Sequence, residues 1–481
     1  MALKTPKQYI ESLQDGREVW VDGEKVVDIV SHHRFKAAIE HLALTYEMAL
    51  DPEYAPSCVT TCPETGETIT GCYRLPANSN DLKARRETIY RSCLYAGGYI
   101  PFGSVKEIGT DALFALRMIC TDVDKKYGTP YFERVKNYHH FCQKNDLSLA
   151  GAVTDPKGDR ALRPHEQPHL ETYLRIVEKR KDGIVVKGAK VHITSAPMVN
   201  ELLVLPTRAM GKGDEDWAVA FAVPANAPGL KMIANPDYTP HDAFEFPLSA
   251  PHPIVHAMVI FDHVFIPNER IFLCGEVEFA GDLAVTFAAW HRFTGLCYKG
   301  PVAELMLGAA TLIADYNGVA KASHIKDKLR EMIMYIESIR TYSMMAAYEP
   351  EYRNGLAMPN QMSCNVGKYL FASGFHQNLR CLQEIAGGIA ATCPSSIDYS
   401  TPELKNYIDY YLVGRKGVST ENRIRMLKLI RDLTGSSELG VHMYGTVHGE
   451  GTLEAQRMMM LRGYNSVPAM ALASKVAGIN E

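Results

Sequence analysis

The sequence predicts an α+β fold in which helices come first, a sheet domain follows and a helical bundle ends the chain. Apolar residues recur at three- and four-residue spacing through residues 31–145 and again from residue 279 onward. Between residues 147 and 274 the period changes towards two, and Pro and Gly recur at short intervals. Strands and helices that are segregated along a chain favour α+β over a doubly wound sheet. The predicted domains are residues 1–146, 147–277 and 278–481.

The individual elements follow from the same periodicity. Helices of the first part are predicted at 33–50, 113–126 and 132–144. Strands of the middle part are predicted at 173–177, 184–188, 202–206, 217–223 and 258–265. Helices of the last part are predicted at 302–316, 325–348, 367–384, 420–433 and 453–462.

The composition narrows the class of protein. Of the 481 residues, 46% are apolar and 22% are charged, as in soluble globular proteins. The 51 Lys and Arg against 55 Asp and Glu give a net charge of −4, which argues against a nucleic-acid partner. We find no apolar run near 18–20 residues and no secretory signal in residues 1–8, so we expect a cytoplasmic protein with no membrane partner. The odd number of cysteines, 11, favours reduced thiols.

Two segments of the sheet domain carry polar groups suited to a cofactor. Residues 152–160, Ala-Val-Thr-Asp-Pro-Lys-Gly-Asp-Arg, place two cations and turn N–H groups where a pyrophosphate can bind. The same composition is typical of a charged surface turn. On a strand through residues 188–195, His192 and Thr194 lie two apart and share a face, which suits a flat cofactor or an ordinary half-polar strand.

Three further segments have alternatives that spacing alone leaves open. Residues 290–299, Trp-His-Arg-Phe-Thr-Gly-Leu-Cys-Tyr-Lys, contain a base, a thiol and a cation, or form a helix with a core histidine. The Gly pair in 384–390 permits close approach to a ligand, or ends a helix. The third segment holds three cysteines that resemble half of a metal site but lack an evident fourth ligand: Cys58, Cys62 and Cys72.

Six separated blocks in order carry a family resemblance over nearly the whole chain. They are TDPKGDR at 154–160, EKRKDGIVVKGAK at 178–190, VIFDHVFIPNERIFL at 259–273, ADYNGVAKASHIKDKL at 314–329, EIAGGIAATCPS at 384–395 and HGEGTLEAQRMMM at 448–460. The chain resembles the superfamily of 4-hydroxybutyryl-CoA dehydratase and 4-hydroxyphenylacetate 3-hydroxylase, among the acyl-CoA-dehydrogenase-like flavoproteins. The dehydratase branch is nearer.

The resemblance implies an acyl-CoA-dehydrogenase-like fold, assembled as a homotetramer, with FAD between the β domain and the C-terminal bundle. The segment with the Gly pair reaches FAD from a neighbouring subunit. It also implies a small-molecule substrate, here a CoA thioester, and a flavin reductase or electron-transfer partner. The residues that match the family's cofactor-binding positions are Thr154, Asp155, Lys157, Arg160, His192, Thr194, Glu384, Gly387 and Gly388.

The chain departs from the dehydratase at the positions of its [4Fe–4S] cluster. His291 matches the histidine that binds the cluster. The position that matches one of the cluster cysteines holds Tyr298 in this chain, and Cys297 lies one residue before that position. The other two cysteines belong in the stretch 102–108, which contains none. A cubane cluster needs four converging donors, so we predict no cluster and no metal.

Other functional columns of both branches also differ. At the position that matches the dehydratase's catalytic tyrosine this chain has Gly295. At the positions that match its two glutamates the chain has His256 and Gly445, although Lys299 is retained. The hydroxylase's phenol-binding Arg and Tyr are missing from residues 108–113, and Gly151 replaces its substrate histidine.

Three functions stay open at this stage. The first is an FAD-dependent lyase, isomerase or oxidoreductase that acts on a small acyl thioester by dehydration, isomerisation or α,β-oxidation. In it His291 or His256 is the base, Tyr298 the acid, and Lys299 steadies an anionic oxygen. The second is a monooxygenase that uses reduced FAD and oxygen. The third is a non-catalytic flavin-binding protein.

Overall fold

The computed structural model describes residues 3–98, 106–236 and 238–479. The elements of the first part are α1 (Pro6–Glu11), β1 (Glu18–Val21), β2 (Glu24–Lys25), α2 (His33–Met48), α3 (Ala55–Cys58), β3 (Val59–Thr61), β4 (Thr68–Thr70), α4 (Ser79–Tyr95), α5 (Glu107–Tyr127) and α6 (Tyr131–Lys144). Capping residues mark the ends of these helices. Thr5 caps α1 in a capping box, Asn78 caps α4, and Gly128 ends α5 in the left-handed conformation.

The middle part is built from strands, as the two-residue period predicts. They are β5 (Leu149–Ala152), β6 (Arg175–Lys179), β7 (Gly183–Thr194), β8 (Glu201–Val204), β9 (Val219–Pro224), β10 (Leu230–Ala234), β11 (His256–Pro267) and β12 (Ile271–Cys274). One sheet has the order β2-β1-β10-β11-β7-β6 and the other β12-β9-β8-β5. In the antiparallel pair of β7 and β11, Thr194 lies directly opposite His256.

The first two strands correct the expectation that residues 1–146 are helical. β1 pairs in parallel with β10, so part of the N-terminal segment completes the larger sheet of the middle part. Val19 and Val21 of β1 are buried while their neighbours are half-buried, which is the alternation of a strand. A strand of four residues and one of two residues are too short for their period to stand out in the sequence.

The last part is helical. Its elements are α7 (Val277–Tyr316), α8 (Ser323–Tyr348), β13 (Glu351–Arg353), β14 (Leu356–Met358), α9 (Gln361–Ala386), α10 (Ile389–Thr392), α11 (Ser396–Ser400), α12 (Pro402–Tyr411), α13 (Thr420–Gly435), α14 (Ser437–His448), α15 (Leu453–Gly463) and α16 (Val467–Ala477). The predicted helix 302–316 is only the second half of α7. The first half of α7 is apolar on most sides, so it lacks the amphipathic period that marks a surface helix.

Helix α7 connects the two large hydrophobic cores. Phe287 and Trp290 belong to the core formed with the N-terminal helices and both sheets, whereas Leu296 and Met306 belong to the core of the C-terminal bundle. One 18-residue window of α7 is apolar enough to cross a membrane, but 61% of that window is buried inside the protein. The burial is that of a core helix, and it places residues 290–299 at the junction of the parts.

Candidate functional site

A buried carboxylate, Glu450, lies at the centre of the candidate site. It comes from the loop between α14 and α15, and its side chain is 1% exposed. Its two oxygens accept hydrogen bonds from the Tyr298 hydroxyl and the Lys299 ammonium of α7. Lys368 of α9 adds a second ammonium, 3.7 Å from the same oxygen that Lys299 contacts. We call these four residues the Glu450 cluster.

The backbone around Glu450 is held in place by an arginine of α7. Arg292 donates from Nε to the Glu450 carbonyl at 2.9 Å and from its NH1 nitrogen to Asn365 Oδ1 at 3.0 Å. Glu450 adopts a left-handed conformation with φ +57°, which non-glycine residues occupy at a cost. The surrounding bonds therefore fix a conformation that the isolated loop would disfavour.

Gly295 makes the room for the Glu450 carboxylate. A Cβ at this position would lie 2.7 Å from both Cδ and Oε1 of Glu450, and 3.0 Å from Lys299 Nζ. The absence of a side chain at Gly295 thus leaves space that the Glu450 carboxylate, from another element, occupies.

The charges of the Glu450 cluster determine its protonation. Although burial opposes ionisation, the charges of Lys299 and Lys368 lower the pKa of Glu450 to about 2. Burial, with the charge of Glu450, raises the pKa of Tyr298 well above its usual value. Burial and the charge of Lys299 lower the pKa of Lys368 to about 7. The cluster therefore holds an ionised carboxylate, a neutral phenol and one amine that titrates near neutrality.

His291 lies about two helical turns before Tyr298 on α7 and close to the sheet. Its ring stacks on Phe287 with centroids 5.3 Å apart, and Phe287 in turn packs against Gly151 of β5. In the part of the chain that the structure describes, its Nδ1 atom is buried without a hydrogen-bond partner, and Asp111 Oδ2 lies 3.8 Å from it. His291 is therefore not the satisfied core histidine that the spacing also allowed.

The turn that follows β5 presents its residues in two directions. Lys157 and Arg160 are exposed, and Thr154 is half-buried. Asp155 departs from the expectation of a flavin-facing residue, because it is 2% exposed and pairs with the equally buried Lys190 at 2.7 Å. Lys190 also donates to the carbonyls of Val153 and Leu205 at 2.9 Å. Because a buried carboxylate is costly without a partner, the pair with Lys190 holds Asp155 inside the protein and so fixes the position of the turn.

The predicted strand residues lie at one end of the larger sheet. The His192 side chain is largely exposed, and its partial desolvation together with the nearby charge of Lys157 lowers its pKa. Thr194 Oγ1 and His256 Nδ1 are joined by a hydrogen bond of 3.0 Å. His256 is thus a neighbour of Thr194 on the sheet, whereas Tyr298 and Lys299 face Glu450 in the bundle.

The segment with the Gly pair lies on the surface of the chain. Glu384, near the end of α9, pairs with Lys328 at 3.0 Å and remains 47% exposed. Gly387 caps α9 with φ +77°, and Gly388 opens α10. Of the atoms that the structure describes, no heavy atom outside the local backbone lies within 4 Å of a Cβ built at either glycine. The Gly pair therefore ends a helix, and its approach to a ligand stays a prediction.

Sequence reasoning missed half of the Glu450 cluster and its supports. Glu450 lies within the block at 448–460, but the sequence does not indicate a function for it, because Lys299 and Lys368 are 151 and 82 residues away in the chain. Lys368, Arg292 and Asp111 gave no motif signal. A carboxylate flanked by glycines, His-Gly-Glu-Gly, is the one local feature that marked Glu450.

The cysteines give no sign of a metal centre in the part of the chain that the structure describes. All eleven are free, and residues 3–98, 106–236 and 238–479 contain no group of three or more His, Cys, Asp or Glu side chains that could hold a metal ion. Most of the stretch 102–108, where two cluster cysteines of the dehydratase belong, lies outside the described residues. The absence of a cluster stays a prediction.

Comparison with known families covers almost the whole chain. The N-terminal model of 4-hydroxyphenylacetate 3-hydroxylase matches residues 5–273, and the C-terminal model matches residues 280–478. The chain belongs to the 4-hydroxyphenylacetate 3-hydroxylase family. It is 36% identical to the 4-hydroxybutyryl-CoA dehydratase/vinylacetyl-CoA-Δ-isomerase of Clostridium aminobutyricum, over 99% of this chain and 100% of that protein. It is 29% identical to the 4-hydroxyphenylacetate 3-monooxygenase oxygenase component of Thermus thermophilus, over 90% and 88% of the two chains.

Solved structures of this family share the fold. The oxygen-tolerant archaeal 4-hydroxybutyryl-CoA dehydratase of N. maritimus superposes with a TM-score of 0.93 at 31% identity, covering 100% of this chain and 96% of the other. The oxygenase component HpaB complexed with FAD gives a TM-score of 0.88 at 26% identity, covering 98% of each chain. The predicted superfamily and the α+β fold that its solved members share are confirmed. The prediction of FAD is confirmed at the level of the family, which is flavin-dependent.

Proposed function

We propose that the chain is an FAD-dependent enzyme that acts on a small acyl thioester, a CoA ester, by dehydration, isomerisation or α,β-oxidation without a [4Fe–4S] cluster. The observation that carries the proposal is the Glu450 cluster beside His291, because it puts ionised, neutral and titrating groups in one buried place. The full-length similarity to a dehydratase/isomerase supports the same reaction class.

The residues on the sheet fit FAD. Lys157 and Arg160 are exposed cations next to turn N–H groups, which suits a pyrophosphate. His192 and Thr194, two apart on β7, supply a ring and a hydroxyl for the isoalloxazine side, and Thr154 lies where the turn begins. Asp155 keeps the turn in place through Lys190. When bound, FAD supplies an acceptor for a hydride or for single electrons.

The Gly-pair segment is proposed to complete the FAD site of a neighbouring subunit in a homotetramer. Glu384, Gly387 and Gly388 lie on the outside of their own chain, and the space above both glycines is open. Only a residue without a side chain leaves the backbone this accessible to a ligand.

The chain's own groups divide the proton transfers between two places. A thioester acidifies its α-hydrogen, and an imidazole suits its removal near neutral pH, so His291 is the proposed base and His256 the second candidate. Lys368 is proposed to gain and lose a proton at Nζ, since its pKa is about 7. Tyr298 keeps its proton and donates to Glu450. Lys299, expected to steady a substrate oxygen, is instead proposed to keep Glu450 ionised.

The test is anaerobic turnover of 4-hydroxybutyryl-CoA, vinylacetyl-CoA and saturated acyl-CoAs by the FAD-loaded protein, followed by chromatography of the CoA esters. We expect at least one ester to be converted, and Glu450→Gln to lower kcat by about 100-fold or more because Lys299 and Lys368 lose their counter-charge. Glu278→Gln, which changes an exposed ion pair with Lys126, is the matched control and leaves kcat unchanged. No conversion of any ester contradicts the thioester proposal, and four irons per chain contradict the cluster-free one.

A second function is a monooxygenase that uses reduced FAD and oxygen, with a separate flavin reductase as partner. The observation in its favour is the 0.88 TM-score to FAD-bound HpaB together with the missing cluster cysteines, since such an oxygenase needs no metal. Oxygen uptake with chemically reduced FAD and a panel of phenols tests it. Hydroxylated product without any acyl-CoA conversion would replace the first proposal by this one.

A further inference from the structure

A buried carboxylate faces the orphan nitrogen of His291. Asp111 lies on α5 and is fully buried, and among the described residues it uses only one of its oxygens in hydrogen bonds. Oδ1 accepts from the guanidinium of Arg85 at 2.7 Å and from the Thr294 hydroxyl at 2.9 Å. Among the described residues, Oδ2 has no hydrogen-bond partner, and neither has His291 Nδ1, 3.8 Å away. Two buried polar atoms of complementary kind therefore lie near each other, slightly beyond hydrogen-bond distance.

Both groups are restrained on their other sides. Arg85 is itself buried and also donates to the Glu107 carbonyl and the Thr110 hydroxyl of α5, so Asp111 cannot easily turn away. Phe287 stacks on one face of the His291 ring. A hydrogen bond between these two groups would satisfy two buried polar atoms at once, and a buried polar atom without a partner is costly.

From this geometry we propose that Asp111 is a positioning residue: it accepts a hydrogen bond from His291 Nδ1–H, fixes that tautomer, and leaves Nε2 as the basic nitrogen for the reacting molecule. The inference rests on the proposed role of His291 as the base. An ionised carboxylate behind an imidazole orients the ring and stabilises its protonated form, which is how such pairs support general bases.

The fixed donors on Oδ1 make Asp111→Asn an informative variant. Arg85 and Thr294 both donate to this position, so the amide oxygen of the asparagine must occupy it. Its NH₂ group then faces His291 Nδ1 as a donor. The imidazole is forced into the opposite tautomer, with the proton on Nε2 and no free lone pair there.

The experiment measures the reactivity of Nε2 directly. FAD-loaded protein is treated with diethyl pyrocarbonate at pH 7.5, and carbethoxylation of the peptide that contains His291 is followed by mass spectrometry. Relative to wild type, we expect the rate at His291 to fall by about 10-fold or more in Asp111→Asn, and kcat to fall by about 100-fold with little change in KM. Thr294→Val, which removes a donor to Asp111 but leaves its charge, keeps the rate within about twofold.

The experiment distinguishes failure of the proposed role of Asp111 from failure of the proposed acyl-CoA activity. An unchanged rate at His291 in a folded Asp111→Asn protein, judged by its thermal melt and FAD content, overturns the proposal even if turnover is lost. A loss of reactivity supports it even if no acyl-CoA is converted, in which case only the proposed function fails. If Asp111→Asn does not fold, a crystal structure of carbethoxylated wild type decides: the label is expected on Nε2, and a label on Nδ1 overturns the proposal.

Discussion

Glu450 has three buried cations near it: Lys299, Lys368 and Arg292. Removal of this carboxylate is expected to lower the stability more than removal of a surface ion pair, because it leaves buried positive charge without compensation. The same environment explains why its pKa is low despite burial. Stability and protonation at this residue are thus two consequences of one arrangement.

The pH dependence of stability follows from Glu450. Its folded pKa of about 2 lies below its ordinary value of 4.5, so the ionised form stabilises the folded state above pH 4.5 and this contribution is lost as the pH falls towards 2. We expect Glu450→Gln to lower the free energy of unfolding at pH 7 by about 3–5 kcal/mol and to flatten this acid limb. Urea unfolding at several pH values measures both. In the control Glu278→Gln, the exposed pair changes stability by less than about 1 kcal/mol.

A methyl group at residue 295 tests the space that Glu450 needs. In Gly295→Ala the new Cβ meets Glu450 Cδ at 2.7 Å, so we expect a loss of about 1–3 kcal/mol and a lower kcat. Gly308→Ala on the same helix has no atom within 4 Å of its new Cβ and is expected to be neutral or slightly stabilising. Thermal melts compare the two. Equal melting temperatures would contradict the close contact described for Gly295.

At the scale of elements, the site depends on how closely helices approach the sheets. α5, which carries Asp111, lies against β5, and α7, which carries His291, touches β5 through Phe287. Gly109 permits the first contact, since a Cβ there would lie 2.2 Å from Leu149 Cβ and 2.8 Å from the Leu149 carbonyl oxygen. Backbone cannot move aside as a flexible side chain does.

Gly109→Ala therefore separates α5 from β5. We expect it to destabilise the protein by about 3 kcal/mol or more, and to slow carbethoxylation of His291 because Asp111 moves with α5. Gly308→Ala again serves as the control for adding a methyl group to a helix. A Gly109→Ala protein as stable as wild type would show that the two elements can part without cost.

At the scale of the whole molecule, apolar surface collects at the C-terminal end. None of the residues of helix α16 is buried against the rest of the described chain. Four of its apolar side chains are each more than 60% exposed: Val467, Met470, Leu472 and Val476. A contiguous exposed apolar helix is a feature of surfaces that are covered in an assembly. The proposed homotetramer supplies such a cover.

A chain that ends at residue 466 tests the assembly. Because α16 contributes nothing to the cores of its own chain, we expect the truncated protein to keep its helical content but to assemble less, with a lower mass by light scattering after gel filtration. Unchanged mass in the truncated protein would exclude α16 from the interface. A truncated chain that is unfolded as a monomer would show that the helix stabilises its own subunit.

The sequence by itself determined the fold class, the family and the order of the segments, because periodicity and separated motif blocks are local properties. Whether residues 290–299 form a helix stayed open, because the short β1 and β2 and the apolar first half of α7 carried no period to detect. Only the tertiary structure decided that Glu450 fills the space over Gly295, that Asp155 turns inward to Lys190, and that Asp111 faces His291. These pairings join residues far apart in the chain, and burial, which decides their charge and hydrogen bonding, exists only after packing.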